Sequence, residues 1–368
     1  MTIAIIIIFS VVLCINLCLL LLFWLNFKTY NQDLEAFSWP SISILIAARN
    51  EEQHLKNCVD AILNLDYPKE KVQILIGNDA SEDATQSIID LLREQDSRIQ
   101  SVIIEQGYKG LVAKSNVVAQ LAKKAEGELL VFVDADITVT PNWLKEMVYP
   151  VTKGADLVSG YTAVFSPNGF ASLQAVDWKG SIFLVKVMAD LGFPVTALGN
   201  NMLIRKSAYL SIGGFESVGR TKVEDLKISK ALRKAGFKVV QIVEASAQVF
   251  TQPMHTLPTL FSQRRRWLSG ILQYRLVLGL ILSVERLCLP ILLILLIFAD
   301  AAYAGQLIGL FVFFLATEKA KTTLMDMKLG SGNKRSFFFE PIFISLLNTF
   351  ALLSLIVVPK VTWKNRRN

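Results

Sequence analysis

Asp134-Ala135-Asp136 follows directly on the apolar run Leu129-Leu130-Val131-Phe132-Val133. Two carboxylates one residue apart repel each other, so a loop gains nothing from them unless a cation lies between. Hard cations such as Mg²⁺ or Mn²⁺ take carboxylate and phosphate oxygens together, which makes Asp134 and Asp136 candidate holders of a divalent metal and a diphosphate. The plain alternative is a solvated turn after a strand, and a D-x-D alone is too short to decide. A second acidic segment is Asn78-Asp79-Ala80-Ser81-Glu82-Asp83. Ser81 and Asp83 suit a helix N-terminus, but capping leaves Asp79 unexplained, and a carboxylate there can accept a hydrogen bond from a nucleobase imide. The third, Glu224-Asp225, opens a helical pattern. A helix dipole favours acids in a first turn for structural reasons alone, and it also keeps a carboxylate ionised as a general base.

Gln263-Arg264-Arg265-Arg266-Trp267 supplies the basic counterpart. On a helix, Leu257, Leu260, Phe261, Leu268 and Ile271 make one apolar stripe, and Gln263, Arg266, Trp267 and Gly270 fall on another face. This reads as a helix lying in a membrane interface. It either holds anionic lipid or sets a guanidinium diphosphate clamp beside a sugar-stacking indole. Smaller pieces point the same way: Arg49 in Ala47-Ala48-Arg49-Asn50-Glu51-Glu52, Lys114 as a neutraliser of phosphate, and the loop Gly199-Asn200-Asn201-Met202, with Asn200 and Asn201 as candidate acceptor contacts.

The elements that must position these residues alternate. Ile42–Ala47, Val72–Ile76, Val102–Ile104 and Leu129–Val133 read as strands. Glu52–Leu63, Thr85–Leu92 and Ser115–Ala125 read as the intervening helices. Alternation of this kind implies a mainly parallel sheet with right-handed crossovers, and open sheets of that type bind ligands at their carboxyl edge. Beyond the D-x-D the pattern loosens: a long helix over Asn168–Leu191, a short strand over Met202–Ile204, and a helix over Val223–Ala235 with Gly236 as its stop. There is no P-loop and no G-x-G-x-x-G turn, so those nucleotide-binding classes lose support.

Of the 368 residues, 52% are apolar, and they are unevenly spread. Ile3–Leu25 is uncharged and about long enough to cross a bilayer; without a basic n-region or a small-residue cleavage site it reads as an uncleaved anchor. Lys28 then places the following domain in the cytoplasm. Leu287–Phe298, Ile308–Leu315 and Phe337–Val358 are candidate C-terminal spans, the first two forming a hairpin about Asp300. Lys319, Lys321, Lys328, Lys334 and Arg335 are expected in a basic cytoplasmic loop, and Trp363-Lys364-Asn365-Arg366-Arg367 in a basic cytoplasmic tail. No membrane segment is expected to carry a paired charge network, which weighs against a transporter. Cys14, Cys18, Cys58 and Cys288 form no metal or disulfide pattern, and His54 and His255 stand alone. The division expected is an anchor (1–27), a cytoplasmic catalytic domain (39–255), an interface helix region (256–284), C-terminal transmembrane segments (285–358) and a basic tail (359–368).

In their order, the motifs AARNEE, NDASED, VDAD, GNNM, VED and QRRRW, followed by apolar helices, resemble the membrane-bound family 2 inverting glycosyltransferases, the group of cellulose, chitin and hyaluronan synthases and ceramide glucosyltransferase. The resemblance covers about Ser41–Trp267. It implies an α/β GT-A fold, a nucleotide-sugar donor, and Mn²⁺ or Mg²⁺ as cofactor. It further implies that Ala47, Arg49, Glu51 and Asp79 hold the nucleoside, and that Asp134 and Asp136 bind metal and diphosphate. Asp225 would be the base, with Glu224 its first substitute, while Gln263, Arg266 and Trp267 would position donor diphosphate and acceptor. Two departures stand out: Asn78-Asp79 replaces the usual paired aspartates, and the Ser217–Lys222 loop is basic. The partners expected are a nucleotide sugar, probed first as a UDP-sugar, a lipid or glycan acceptor, and membrane lipid of the inner or plasma membrane, without nucleic acid. Few spans favour a lipid acceptor over a processive polysaccharide synthase. A non-catalytic nucleotide-binding scaffold on the same fold is the competing class.

Overall fold

The computed structural model describes residues 2–30, 38–221, 223–274, 276–298, 300–330, 339–358, 362–363 and 366–367. Helix α1 (Thr2–Asn26) comes first, then β1 (Ile42–Ala48), α2 (Leu55–Leu63), β2 (Val72–Asn78), α3 (Thr85–Gln95), β3 (Ile99–Val102), α4 (Ala113–Lys124) and β4 (Leu129–Asp134). Next are β5 (Thr138–Val139), α5 (Trp143–Thr152), β6 (Leu157–Ser159), β7 (Thr162–Val164), α6 (Gly169–Asp190), β8 (Asn201–Arg205), α7 (Lys206–Ser211), α8 (Gly214–Val218), α9 (Glu224–Lys234), β9 (Val239–Gln241) and β10 (Val249–Thr251). Helices α10 (Leu257–Tyr274), α11 (Leu276–Phe298), α12 (Ala301–Leu329) and α13 (Glu340–Val357) follow. The residues divide into two compact units, one of Lys28–Ala163 and Met188–Gln252, the other of Met1–Phe27, Val164–Val187 and Pro253–Asn368.

The first unit is built on a seven-stranded sheet in the order β3-β2-β1-β4-β8-β6-β9. Strands β1, β2, β3 and β4 are mutually parallel, as alternation predicts, while β8 runs antiparallel to both β4 and β6. Apolar runs without a polar face belong in strands covered on both sides, and Leu129 through Val133 are all buried. Each such side chain withdraws about 1.5–3 kcal/mol of apolar surface from water. Leu45, Leu75, Leu130 and Phe132 point to one core cluster, while Ile44, Ile46, Val131 and Val133 point to the other. The third strand lies earlier than read from sequence, at Ile99–Val102, so Ile104 is beyond it.

The second unit holds the apolar helices. Among the described residues, three are long and apolar enough to cross a membrane: Ile3–Asn26, Ala301–Leu329 and Glu340–Val357. A shared core of Phe9, Cys288, Leu292, Leu307, Leu310 and Phe314 joins α1, α11 and α12. The expected basic loop does not form where it can be seen: α12 continues unbroken through Lys319, Lys321 and Lys328, while Lys334 and Arg335 lie outside the described residues. The helix can continue because the Lys321 ammonium is met by Glu285 at 2.5 Å and Glu318 at 2.6 Å. Lys179 likewise meets Asp326 at 2.5 Å. These pairs lie outside the candidate spans read from the sequence, 287–298, 308–315 and 337–358.

Gly127 precedes β4, and a Cβ there would come within 2.5 Å of the β1 backbone at Ile42 and Ser43. Its N–H also donates to Ser43 Oγ at 2.9 Å. Gly127→Ala is expected to lower stability by about 1–3 kcal/mol through forced separation of β1 and β4, read as a reduced thermal midpoint in detergent.

Candidate active site

Strand β1 has β2 on one side and β4 on the other, so the chain reverses its winding direction between β1 and β4. A ligand crevice forms at such a point, outside the carboxyl ends of the strands. The register puts Ala47 beside Asp134 and Ala48 beside Asn78. AARNEE, NDASED and VDAD therefore leave three adjacent strands side by side.

The first two loops are laced together. Asn50 N–H donates to Ser81 Oγ (3.0 Å) and Glu82 N–H to Asn50 Oδ1 (2.9 Å). Glu51 N–H donates to Thr85 Oγ1 (2.8 Å), Glu52 N–H to Asp83 Oδ2 (3.2 Å) and Ala84 N–H to Glu52 Oε2 (3.0 Å). Asp83 Oδ1 accepts from the Thr85 N–H at 3.0 Å where α3 begins, but the N-cap position is Ala84 and carries no side-chain cap, so the expected cap by Ser81 or Asp83 is not formed. Burial opposes the ionised form of Asp83, but the hydrogen bonds from Thr85 and Glu52 outweigh it and hold the carboxyl below its ordinary value. Asn50 and Ala80 lie in the left-handed region at φ 52° and 54°. Asparagine tolerates that conformation; for alanine it costs about 1–2 kcal/mol, offset here by the lacing on either side. Arg49 Nη1 donates to the Asp79 carbonyl at 2.7 Å, fixing the backbone that presents the buried Asp79 carboxylate. Gln106 Nε2 approaches that carboxylate at 3.3 Å.

Lys114, at the start of α4, answers the repulsion at the D-x-D. Its ammonium meets Asp134 Oδ1 at 2.5 Å and donates to the Gly199 carbonyl at 2.9 Å. Gly199 in turn donates its N–H to Asp225 Oδ2 at 3.1 Å. Burial would lower the Lys114 pKa, but the fields of Asp134, Glu224 and Asp225 and the hydrogen bond to Asp134 raise it above the ordinary lysine value. The charge is consequently retained through neutral and mildly alkaline pH. Asp136 Oδ2 accepts from Thr251 Oγ1 at 3.0 Å. Among the described residues no group of three or more His, Cys, Asp or Glu is placed to hold a metal ion. Two carboxylates are nevertheless the donor set that a hard cation uses when phosphate and water oxygens complete its shell, and Asp134 and Asp136 fit an ion on those terms.

The GNNM loop divides. Asn200 Oδ1 accepts from Thr162 Oγ1 at 2.9 Å. Asn201 is a correction: it is fully buried, accepts from Trp143 Nε1 at 2.9 Å and donates to the Tyr161 carbonyl at 3.0 Å. It fastens β8 to its neighbours and has no surface for an acceptor.

Gln263, Arg266 and Trp267 lie on α10, in the other unit. The apolar stripe is only partly as expected, since Leu260 is buried but Leu257 is exposed. The motif's buried cation is Arg264, which the helical-face argument passed over. Its Nε meets Asp177 Oδ2 on α6 at 2.6 Å and its Nη1 donates to Gln263 Oε1 at 2.7 Å. Its guanidinium lies 4.5 Å from the Trp267 ring centre. Sequence reasoning also missed Gly199 as the bridge and Thr251 as a partner of Asp136; nothing in local spacing marks Thr251.

The family described as "Glycosyl transferase family 21" matches residues 3–368. The chain is 24% identical over 241 residues to a beta-monoglucosyldiacylglycerol synthase from Synechocystis sp., covering 65% of this chain and 49% of that protein. It is 25% identical over 257 residues to a poly-beta-1,6-N-acetyl-D-glucosamine synthase from Staphylococcus epidermidis, covering 67% and 60%. The chain spans about half the length of the first of these relatives. Among solved structures, the mannosyltransferase from Pyrobaculum calidifontis in complex with GDP-Man and Mn²⁺ aligns with a TM-score of 0.54 at 14% identity, over 97% of this chain and 92% of that one, a likeness of fold.

A Cβ on Gly199 would stand 3.1 Å from Asp225 Cβ and 3.2 Å from its Oδ2. Gly199→Ala is therefore expected to push Asp225 aside and cut turnover by about tenfold or more, with the thermal midpoint near that of the parent; steady-state transfer assays beside a melting curve check it.

Proposed function

The chain belongs to glycosyl transferase family 21, and we propose from that premise that it moves a hexose, with inversion, from a nucleotide-sugar donor to a membrane-associated lipid or glycan acceptor. The observation that carries the reading is the continuous link Asp134–Lys114–Gly199–Asp225. It joins the acids suited to a diphosphate to the acid suited to a base.

In this reading Asp79 accepts from the base of the nucleotide, beside Ala47, Arg49 and Glu51 on the same edge. Lys114 exchanges part of its contact with Asp134 for the donor's phosphates. Asp134 and Asp136 would hold Mg²⁺ or Mn²⁺, which when bound neutralises the departing diphosphate. The acceptor hydroxyl attacks the anomeric carbon from the face opposite the leaving group. One C–O bond forms, the C–O bond to the diphosphate breaks, and the hydroxyl proton passes to the Asp225 carboxylate. Asp225 sits in the first turn of α9, a position that the helix dipole favours for an acidic residue. Gln263, Arg266 and Trp267 are assigned to donor diphosphate and acceptor on the strength of their motif, and Asn200 remains a candidate acceptor contact. A glycerolipid acceptor is favoured by the lipid glucosylating relative; product length separates single transfer from processive synthesis, which the polysaccharide synthase relative keeps in view. Lys28 after α1 supports a cytoplasmic catalytic domain by the positive-inside rule.

The test is release of nucleoside diphosphate from a panel of UDP- and GDP-sugars in membranes with and without added diacylglycerol. Lipid-dependent release is expected, and donor binding without release in every arm would favour the non-catalytic scaffold. Asp136→Ala is expected to lose metal-dependent donor binding in a titration with Mn²⁺. Asp225→Asn is expected to keep donor affinity and lose about 10²–10⁴-fold in turnover; full turnover there would move the base to Glu224.

A further inference from the structure

Helix α6 presents Asp177 and Trp178 to α10, α11 and α13 within one unit. Asp177 is 5% exposed and its partner Arg264 4%. Besides Arg264 at 2.6 Å, Asp177 faces Arg286 of α11 at 3.8 Å and Asn348 of α13 at 3.4 Å. A buried carboxylate is tolerated only when paired and hydrogen-bonded, and three helices supply the partners. Breaking such a pair is costly, whereas replacing both members by uncharged groups is often neutral for stability. Stability alone therefore gives no reason for the pair, so its geometric consequences matter. Arg264 holds Gln263 through Nη1 and lies over Trp267. Trp178, the residue after Asp177, meets Trp267 with ring centres 4.8 Å apart and planes tilted by 52°. The indole N–H of Trp178 is buried and donates to nothing among the described residues. It is a buried donor without a partner, on the side chain that packs against Trp267.

We infer that Asp177 is a positioning residue that sets Gln263 and Trp267 through Arg264, and that Trp178 completes a two-indole acceptor contact whose N–H donates to an acceptor oxygen. Two consecutive residues of α6 thus act on the motif of α10, which lies about 85 positions later. The ligand class is a hydroxyl- or ester-bearing lipid or sugar: the paired rings cover its apolar face, and the N–H meets an oxygen at its edge. The assignment rests on the reading of α10 as part of the transferase site.

The experiment uses the full chain in nanodiscs. Trp178→Phe, Trp267→Leu and the double variant Asp177→Asn/Arg264→Met are compared with the parent for thermal midpoint, for circular dichroism of the indole pair, and for acceptor KM and kcat. The double variant removes the Asp177–Arg264 pair together, and Arg286 keeps the neighbouring charges of Glu318 and Glu285, so it is expected to fold. It is expected to lose the exciton signal that Trp178→Phe also removes, and to raise acceptor KM or lower kcat by about ten- to a hundredfold. Trp178→Phe is expected to raise acceptor KM with kcat little changed. A folded double variant with parental dichroism and parental kinetics, or parental acceptor KM in Trp178→Phe, overturns the inference. Parental transfer by Trp267→Leu counts instead against the site role of α10; the dichroism of the double variant then decides alone whether Asp177 orders the indoles.

Discussion

Acids gathered at one sheet edge need a cation among them, and Lys114 supplies the one that the chain itself provides at the D-x-D. Its ammonium stands in the fields of Asp134, Glu224 and Asp225 together. With it, Asp134 is tied to the start of α4 and, through Gly199, to the start of α9. The strand order fixes the rest: β1 ends next to β4 because the chain reverses there, so the loops after β1 and β2 and the D-x-D come from neighbouring strands. Asp134 and Asp225 are thus joined by three short contacts rather than by a shared element.

Much of this was readable in the residues. Buried parallel strands announce themselves as apolar runs, and Leu129–Val133 was bounded by the very acids it positions. The helix over Glu224–Lys234 followed from its acidic first turn and from Gly236, which does adopt a left-handed φ of 87°. What failed to read was whatever depends on partners distant in sequence. Asn201 looked like a ligand amide, but Trp143 and Tyr161, 58 and 40 positions away, take its hydrogen bonds. Thr251 stands 115 positions from Asp136. Lys321 looked like part of a loop because one of its two counter-charges, Glu285, lies on another helix. Periodicity reports which face a residue occupies, and it is silent about what that face meets.

The same limit explains the arginine cluster. A helical wheel groups Gln263, Arg266 and Trp267 and sets Arg264 aside, yet Arg264 is the member drawn into the interior. It is drawn there because α6 offers a carboxylate at the right height, information carried nowhere near the motif. The loops at Asn50 and Ala80 depend on each other in the same way: two left-handed residues are held by reciprocal backbone-to-side-chain bonds between loops about 30 positions apart.

Helix α12 runs for 29 residues without a break. At about 1.5 Å per residue it is about 43 Å long, against a hydrocarbon layer of about 30 Å. Its uncharged part, residues 301–317, accounts for about 26 Å of that length, and the remainder from Glu318 onward is the charged extension of the rod. Its distal end carries Lys321 and Asp326, whose partners sit on α11 and α6. The apolar part can match a bilayer by length alone, while the charged part is held by partners within the protein rather than by lipid.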